Sequence, residues 1–159
     1  RQMCIRDSIG GAGEHPDAVE REQGYRLALE AAGLRFEPAL VAPGAFTEYS
    51  GMLAAERLLA GRTRFSAIFA ANDQMALGAA LALYRRGRRV PEDMSLVGFD
   101  DVAGSLYAVP PLTTVHNPIQ EIGELSARAM LALLAGERPS AEVPAPRLVV
   151  RESTRAVNA

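Results

Sequence analysis

The stretch SAIFAANDQMALGAALALYRRGRRVPEDMSLVGFDD, residues 66–101, decides the fold. Residues 67–71 are a short apolar run bounded by polar residues, which predicts a buried strand. Asn72 follows at once and is a preferred helix N-cap, and the apolar residues after it recur at helical spacing up to Gly87. Residues 95–99 form a second apolar run that ends in two carboxylates. A strand, a helix and a strand in this order predict a parallel βαβ unit.

The same alternation continues on both sides of this unit. Upstream, Asp17 is predicted to cap a helix that reaches Ala32 and ends at Gly33, and Thr47 to open another helix that stops at Gly61. Further strands are predicted at residues 39–42, 112–115 and 148–150, and a further helix at residues 118–134. Helices between parallel strands predict an α/β domain: a doubly wound parallel sheet with helices on both faces.

Composition limits the class of protein. The chain has 159 residues, 48% of them apolar, and a net charge of −2, which favours one globular domain over a free-standing nucleic-acid binder. Its single cysteine, Cys4, suits a reducing compartment, and neither a membrane span nor a secretory leader is recognisable, so a cytoplasmic location is expected. Residues 1–8 mix charged and apolar residues without a period. We interpret them as a doubtful leader or sequence artefact and let the domain, residues 9–159, begin at Ile9.

Candidate binding residues follow the predicted strands. In an open parallel sheet, ligands bind outside the carboxyl ends of the strands. The residues that reach this edge are an aromatic, two amides, a carboxylate and an arginine from the adjoining helix: Phe46, Asn72, Asn117, Asp100 and Arg21. Such a set suits a polyhydroxylated or heterocyclic small molecule. Asn72 is equally explained as a helix cap, Phe46 as a core anchor of its loop, and Arg21 as a solvated helix residue.

Enzyme chemistry finds little support in the sequence. Asp73 and Asp100 would form a carboxylate pair, but no nucleophile motif and no metal-spaced His/Cys set accompanies them. The glycine-rich segment at residues 9–13 lacks both a P-loop lysine and a dinucleotide fingerprint. We therefore expect a binding domain and not an enzyme, with no cofactor and no metal ion.

Three linked motifs and the C-terminal residues carry a family resemblance. Four segments resemble the LacI/GalR transcriptional regulators in residue identity, order and spacing. They are AANDQMALG at residues 70–78, VPEDMSLVGFDD at residues 90–101, PPLTTV at residues 110–115 and LVVREST at residues 148–154. The resemblance covers roughly residues 9–155. It implies a periplasmic-binding-protein-like (type I) core of two lobes with a small effector between them, of which this chain is mainly the C-terminal lobe.

The resemblance also implies functions for particular residues. Arg21, Phe46, Asn72, Asp100 and Asn117 fall where such regulators contact their effector, which would be a sugar or a purine, with the polar set favouring sugar. The family often has Gln near Asn117 and an aromatic near Ile119, and these departures leave the effector open.

Further consequences of the resemblance concern the rest of the protein. The helix at residues 118–134 would cross to an absent N-terminal lobe, and its apolar residues are expected to be exposed here: Ile119, Ile122, Ala129, Met130 and Leu133. Operator DNA would be bound only through a DNA-binding domain that is also absent, and the full-length protein would be a homodimer with no membrane contact. The alternative is a periplasmic sugar-binding protein of an ABC transporter.

Overall fold

The main sheet has four parallel strands. The structure, a computed structural model, describes residues 6–11, 15–139 and 142–156. In chain order the strands are β1 (Arg6–Ile9), β2 (Val41–Ala42), β3 (Ala67–Ala70) and β4 (Ser95–Val97), and their order in the sheet is β2-β1-β3-β4. The predicted parallel sheet is therefore confirmed.

Strand β1 corrects the predicted start of the domain. It lies between β2 and β3, with Arg6 opposite Ala67 and Ile9 opposite both Ala42 and Ala70. Leaving residues 6–8 outside the fold was wrong, because the backbone N–H and C=O groups that build a sheet do not depend on side-chain pattern. The interpretation of residues 1–5 as a leader concerns residues outside the described part.

Three long helices surround this sheet: α1 (Pro16–Ala31), α2 (Glu48–Ala60) and α3 (Asp73–Arg85). Thr47 caps α2 and Asn72 caps α3, as predicted. At α1 the cap is His15 and not Asp17, because Pro16 takes the first helical position, which suits its fixed φ. A short 3₁₀ turn, Pro38–Leu40, replaces the first part of the strand predicted at residues 39–42 for the same reason.

The two faces of the sheet are covered unequally. Ile68 and Ala70 of β3 are buried in the core under α2 and α3. On the opposite face, Phe69 stacks on Tyr25 of α1 at 6.4 Å between ring centroids. Beyond α1 this face continues as an open, mainly apolar groove of about 560 Å³, lined in part by Val97 and Val115.

The chain ends in a second, two-stranded sheet. Strand β5 (Thr114–His116) pairs antiparallel with β6 (Arg147–Val149), and single parallel bridges join the β5 segment to β4. A short helix, α4 (Ala103–Leu106), lies where only a loop was expected. The C-terminal residues then return to the main sheet, where the Ser153 hydroxyl donates to the Leu96 carbonyl at 2.6 Å. The C-terminal motif at residues 148–154 therefore includes a structural clasp.

Helix α5 (Ile119–Leu134) has no buried side chain. Ile119, Met130 and Leu133 are 59–68% exposed, while Ile122 and Ala129 are partly covered. The expectation of an exposed apolar helix is thus confirmed. In the part of the chain that the structure describes, no helix combines the length and apolar character needed to cross a bilayer.

Candidate functional site

Arg21 is held firmly at the carboxyl edge of the main sheet. Its Nη1 donates to the carbonyl oxygen of Ala71 at 2.6 Å, and its guanidinium carbon lies 4.0 Å from the centre of the Phe99 ring. Its Nη2 is 3.6 Å from Oδ1 of Asp100, an ion pair slightly too long to be a hydrogen bond. Because only 14% of this side chain is exposed, the alternative of a solvated helix residue is wrong.

The surroundings of Asp100 disfavour its ionised form. Burial raises its pKa above the usual value, while Arg21 acts to lower it and Asp73 and Asp17 add to the rise. A hydrogen bond from Asn117 also favours the ionised form, but burial outweighs it. The Asp100 carboxylate therefore stands to gain from further hydrogen-bond donors, which a hydroxylated ligand would supply.

The backbone at this edge adopts conformations that non-glycine residues rarely take. Phe46 has a φ of +59°, Asp100 of +104° and Asp101 of +60°. Each such residue costs on the order of 1–3 kcal/mol and persists only where its surroundings hold it in place. Such residues are concentrated in binding and switch regions, so their presence here supports a site at this edge.

Asn72 joins the loop of Phe46 to the start of α3. Its Oδ1 accepts from the backbone N–H of Met75 at 2.9 Å, and its Nδ2 donates to the carbonyl oxygen of Phe46 at 3.2 Å. The cap interpretation of Asn72 is therefore confirmed, and its amide is largely occupied by the protein. Its clear structural effect is to hold Phe46 in the left-handed conformation.

The Phe46 ring lies over Gly11, shortly after β1. It packs partly against the core and meets the His15 ring edge-on at 5.3 Å between centroids. A Cβ atom at Gly11 would lie 2.6 Å from Cε2 of Phe46, so only glycine leaves room for the ring. The ring thus serves as a loop anchor and also stands at the edge where a ligand would lie.

The five predicted residues do come together. Arg21, Asp100 and Asn117 form one polar group, and Asn72 and Phe46 form a second, joined to the first through Arg21 and the Ala71 carbonyl. The sequence did not show which of these side chains already have hydrogen-bond partners within the protein. The amide of Asn72 already has partners within the protein, whereas the Asp100 carboxyl has a raised pKa.

Asp73 stabilises this edge of the sheet through buried hydrogen bonds. Its Oδ1 accepts from the Thr114 hydroxyl at 2.5 Å, and its Oδ2 accepts from the Ser105 hydroxyl at 2.5 Å and from the Val102 N–H at 3.0 Å. The carboxylate is fully buried and committed to these donors, so it does not form the acid/base pair with Asp100 that the sequence allowed. Only its place in the first turn of α3, where an anion is favoured, gave a signal in the sequence.

Asp101 faces away from Asp100 and makes a separate cluster. Its Oδ1 accepts from Nη2 of Arg151 at 2.5 Å, and its Oδ2 lies 3.0 Å from Nδ1 of His116. Burial acts to raise the pKa of Asp101, but the hydrogen bonds from Arg151 and His116 outweigh it and the pKa is lowered. The two neighbouring carboxylates thus serve different partners.

Metal binding has no support in residues 6–11, 15–139 and 142–156, where no group of three or more His, Cys, Asp or Glu side chains is placed to hold an ion.

Known proteins are similar to this chain in sequence. The chain is 42% identical over 148 residues to the HTH-type transcriptional regulator CelR of Thermobifida fusca, a match that covers 92% of this chain and 44% of CelR. It is 35% identical over 145 residues to the repressor PurR of Haemophilus influenzae, covering 88% of this chain and 43% of PurR. The chain thus spans less than half the length of these relatives.

Known structures share the fold. A CelR–cellobiose complex matches with a TM-score of 0.86 and 41% identity, covering 93% of this chain and 46% of that one. A lac repressor dimer bound to operator matches with a TM-score of 0.86 and 30% identity, covering 95% and 52%. The model of the periplasmic binding protein-like domain matches residues 3–154. This chain therefore belongs to the family of periplasmic binding protein-like domains, in the form found in the effector-binding domains of LacI-type transcriptional regulators.

Proposed function

We propose that this chain is the C-terminal part of the effector-sensing domain of a LacI-type regulator, and that Arg21, Phe46, Asn72, Asp100 and Asn117 face the effector. The observation that carries the proposal is the Arg21–Asp100–Asn117 group, in which Arg21 lies 3.6 Å from a carboxylate whose pKa is raised by burial. An effector would complete this group and favour one arrangement of the two lobes. Operator affinity would follow through a coupling free energy of typically ~1–3 kcal/mol.

A sugar fits this group better than a purine. Asp100 accepts from neighbouring hydroxyls, Arg21 and Asn117 donate to them, and the Phe46 ring offers an apolar face for a pyranose ring. The complex of CelR with cellobiose supports a sugar as the first candidate. The similarity to PurR keeps a purine as the second.

Calorimetry tests the assignment of the site. Cellobiose, other glycosides and purine bases are titrated into the gene product in its natural length, and the binder found is then titrated into Asp100→Ala. We expect an affinity loss of about 2 kcal/mol or more, because charge-assisted hydrogen bonds to the ligand are removed. Asp93→Ala is the matched control, since Asp93 pairs with an arginine on the exposed surface. Equal affinity of Asp100→Ala and the unaltered protein would remove Asp100 from the site.

The exposed face of α5 is proposed to pack on an N-terminal lobe. Leu131 and Leu133 are each 63% exposed, although a helix this apolar is normally covered. DNA would be read by a further domain, so the 159-residue chain alone should not retain operator DNA in a gel-shift assay at moderate salt. Specific retention by this chain would contradict the proposal.

The full-length protein is proposed to be a homodimer. An apolar surface runs over α3, α4 and the following loop, where Tyr84, Tyr107 and Val109 are 79–96% exposed. Aromatic residues are enriched at interfaces, and the similar lac repressor was crystallised as a dimer. Sedimentation of Tyr107→Arg should show monomer, while Tyr49→Arg, which alters an exposed tyrosine on α2, should stay dimeric. A dimer that survives Tyr107→Arg would exclude this surface.

The regulator is favoured over a transporter's binding protein. The two relatives compared above are HTH-type regulators, which are not enzymes. A protein that binds operator DNA works in the cytoplasm, so that location belongs to the same proposal, as does the absence of catalysis. The residues encoded upstream of β1 test it: a helix-turn-helix supports the regulator and an apolar secretory leader supports the transporter.

A further inference from the structure

We propose that Asp101 is a positioning residue that fixes the direction in which α5 and β6 leave the main sheet. We call α5 together with β6 the arm. The proposal rests on the proposed function in one respect: it gives the arm a purpose, since the arm would carry the second lobe.

Asp101 connects the two points where the arm joins the rest of the chain. His116 is the last residue of β5, shortly before α5 begins, and Arg151 lies two residues after β6 ends. One carboxylate oxygen of Asp101 binds Arg151 and the other faces His116, at 2.5 Å and 3.0 Å. A single side chain thus contacts both His116, just before the arm begins, and Arg151, just after the arm ends.

Arg151 is anchored on its far side as well. Its Nη1 donates to the carbonyl oxygen of Leu112 at 2.8 Å, and its backbone N–H donates to the Thr113 hydroxyl at 3.0 Å. The side chains of Asp101 and Arg151 are each only 16% exposed. Because bidentate and multiply bonded guanidinium groups have one favoured orientation, this contact sets an angle and does more than restrain a distance.

The direction of the arm has few other determinants in the described residues. Helix α5 buries no side chain, and β6 pairs with β5 over three residues. A two-stranded ribbon of this length is marginal by itself. The orientation of the arm is therefore set mainly at its base, where the contacts of Asp101 lie beside the Ser153 clasp.

The same turn reaches the candidate site. Asp100 and Asp101 are consecutive and both have positive φ, and the Asp100 N–H is bonded to the Val115 carbonyl at 2.9 Å. One peptide unit therefore separates Asp100, at the candidate site, from the contacts of Asp101 with Arg151 and His116.

The test measures the arm without any ligand. Spin labels are placed at Arg57→Cys on α2 and Arg128→Cys on α5, in a Cys4→Ser background, and their distance distribution is recorded by pulsed electron resonance. Asp101→Asn and Arg151→Gln should each shift the distribution or at least double its width. Asp93→Asn is the control, because it removes the carboxylate from the Arg89–Asp93 pair, at 2.8 Å and 2.9 Å, which lies outside α5 and β6, and it should leave the distribution unchanged.

Hydrogen exchange separates positioning from general destabilisation. Asp101→Asn should raise amide exchange in β5 and β6 by tenfold or more and leave β3 unchanged. An equal rise in β3, or an unchanged arm in both variants, would overturn the proposal. If Asp101→Asn fails to fold by circular dichroism, Arg151→Gln decides by the same criteria. Since no effector is used, these results stand or fall independently of ligand binding at Asp100.

Discussion

The substitution Gly78→Ala tests the closest helix contact in the core. Gly78 of α3 faces α2 so closely that an added Cβ would lie 2.7 Å from the carbonyl carbon of Glu48 and 2.8 Å from the backbone nitrogen of Met52. Gly51 of α2 faces the backbone of Met75 in the same way. The two helices thus meet backbone to backbone through a pair of glycines.

The expected loss follows from these distances. An ordinary contact needs about 3.4 Å, so the helices would have to separate by more than about 0.5 Å, which weakens the packing of the alanines between them. Overpacking costs about 1–3 kcal/mol, and the upper end applies because the opposing atoms are backbone and cannot rotate away. Alanine recovers about 1 kcal/mol of helix propensity. We expect a net loss of about 2 kcal/mol, or a fall in Tm of about 4–8 °C.

Urea unfolding followed by circular dichroism measures this loss. Gly24→Ala in α1 is the control, because nothing lies within 4 Å of its added Cβ, and it should gain about 0.5–1 kcal/mol. An unfolding free energy of Gly78→Ala equal to that of the unaltered chain, or an equal loss in Gly24→Ala, would refute the close contact.

Three further outcomes are expected from the structure. Asp73→Ala should lower the unfolding free energy by about 3 kcal/mol or more in urea titration, because it leaves one N–H and two hydroxyl donors without their buried acceptor. Asp100→Asn should raise the Tm of the unliganded chain at pH 7, since burial raises the pKa of this carboxyl and its ionised form weakens folding. That gain should shrink as the pH falls through the folded pKa and vanish below the ordinary value of 3.8, which scanning calorimetry across pH would check. Leu131→Lys should leave the unfolding free energy nearly unchanged, whereas Leu83→Ala, at a fully buried position, should cost about 2–5 kcal/mol.

The sequence predicted which residues lie at the candidate site but not which hydrogen bonds they make there. The topology of a parallel sheet brings every residue that follows a strand to one edge; this rule selected Asp100 and Asn117, and the helix that begins at the same edge added Arg21. It could not tell that Nδ2 of Asn72 is occupied by the Phe46 carbonyl, because that partner depends on where the loop before α2 lies. Nor could it show that burial outweighs Arg21 at Asp100, since burial depends on the whole fold.

The sequence by itself determined the alternation of strands and helices, the caps at Thr47 and Asn72 and the helix stop at Gly87. These features depend on side-chain periodicity and on hydrogen bonds between residues a few positions apart, so a short stretch of sequence is enough to predict them. Only the tertiary structure decided that Arg6–Ile9 forms an inner strand, that Gly51 and Gly78 must lack side chains, and that Asp73 joins three separate segments. These features depend on groups that lie far apart in the sequence and meet only in the folded protein, so no local sequence pattern predicts them.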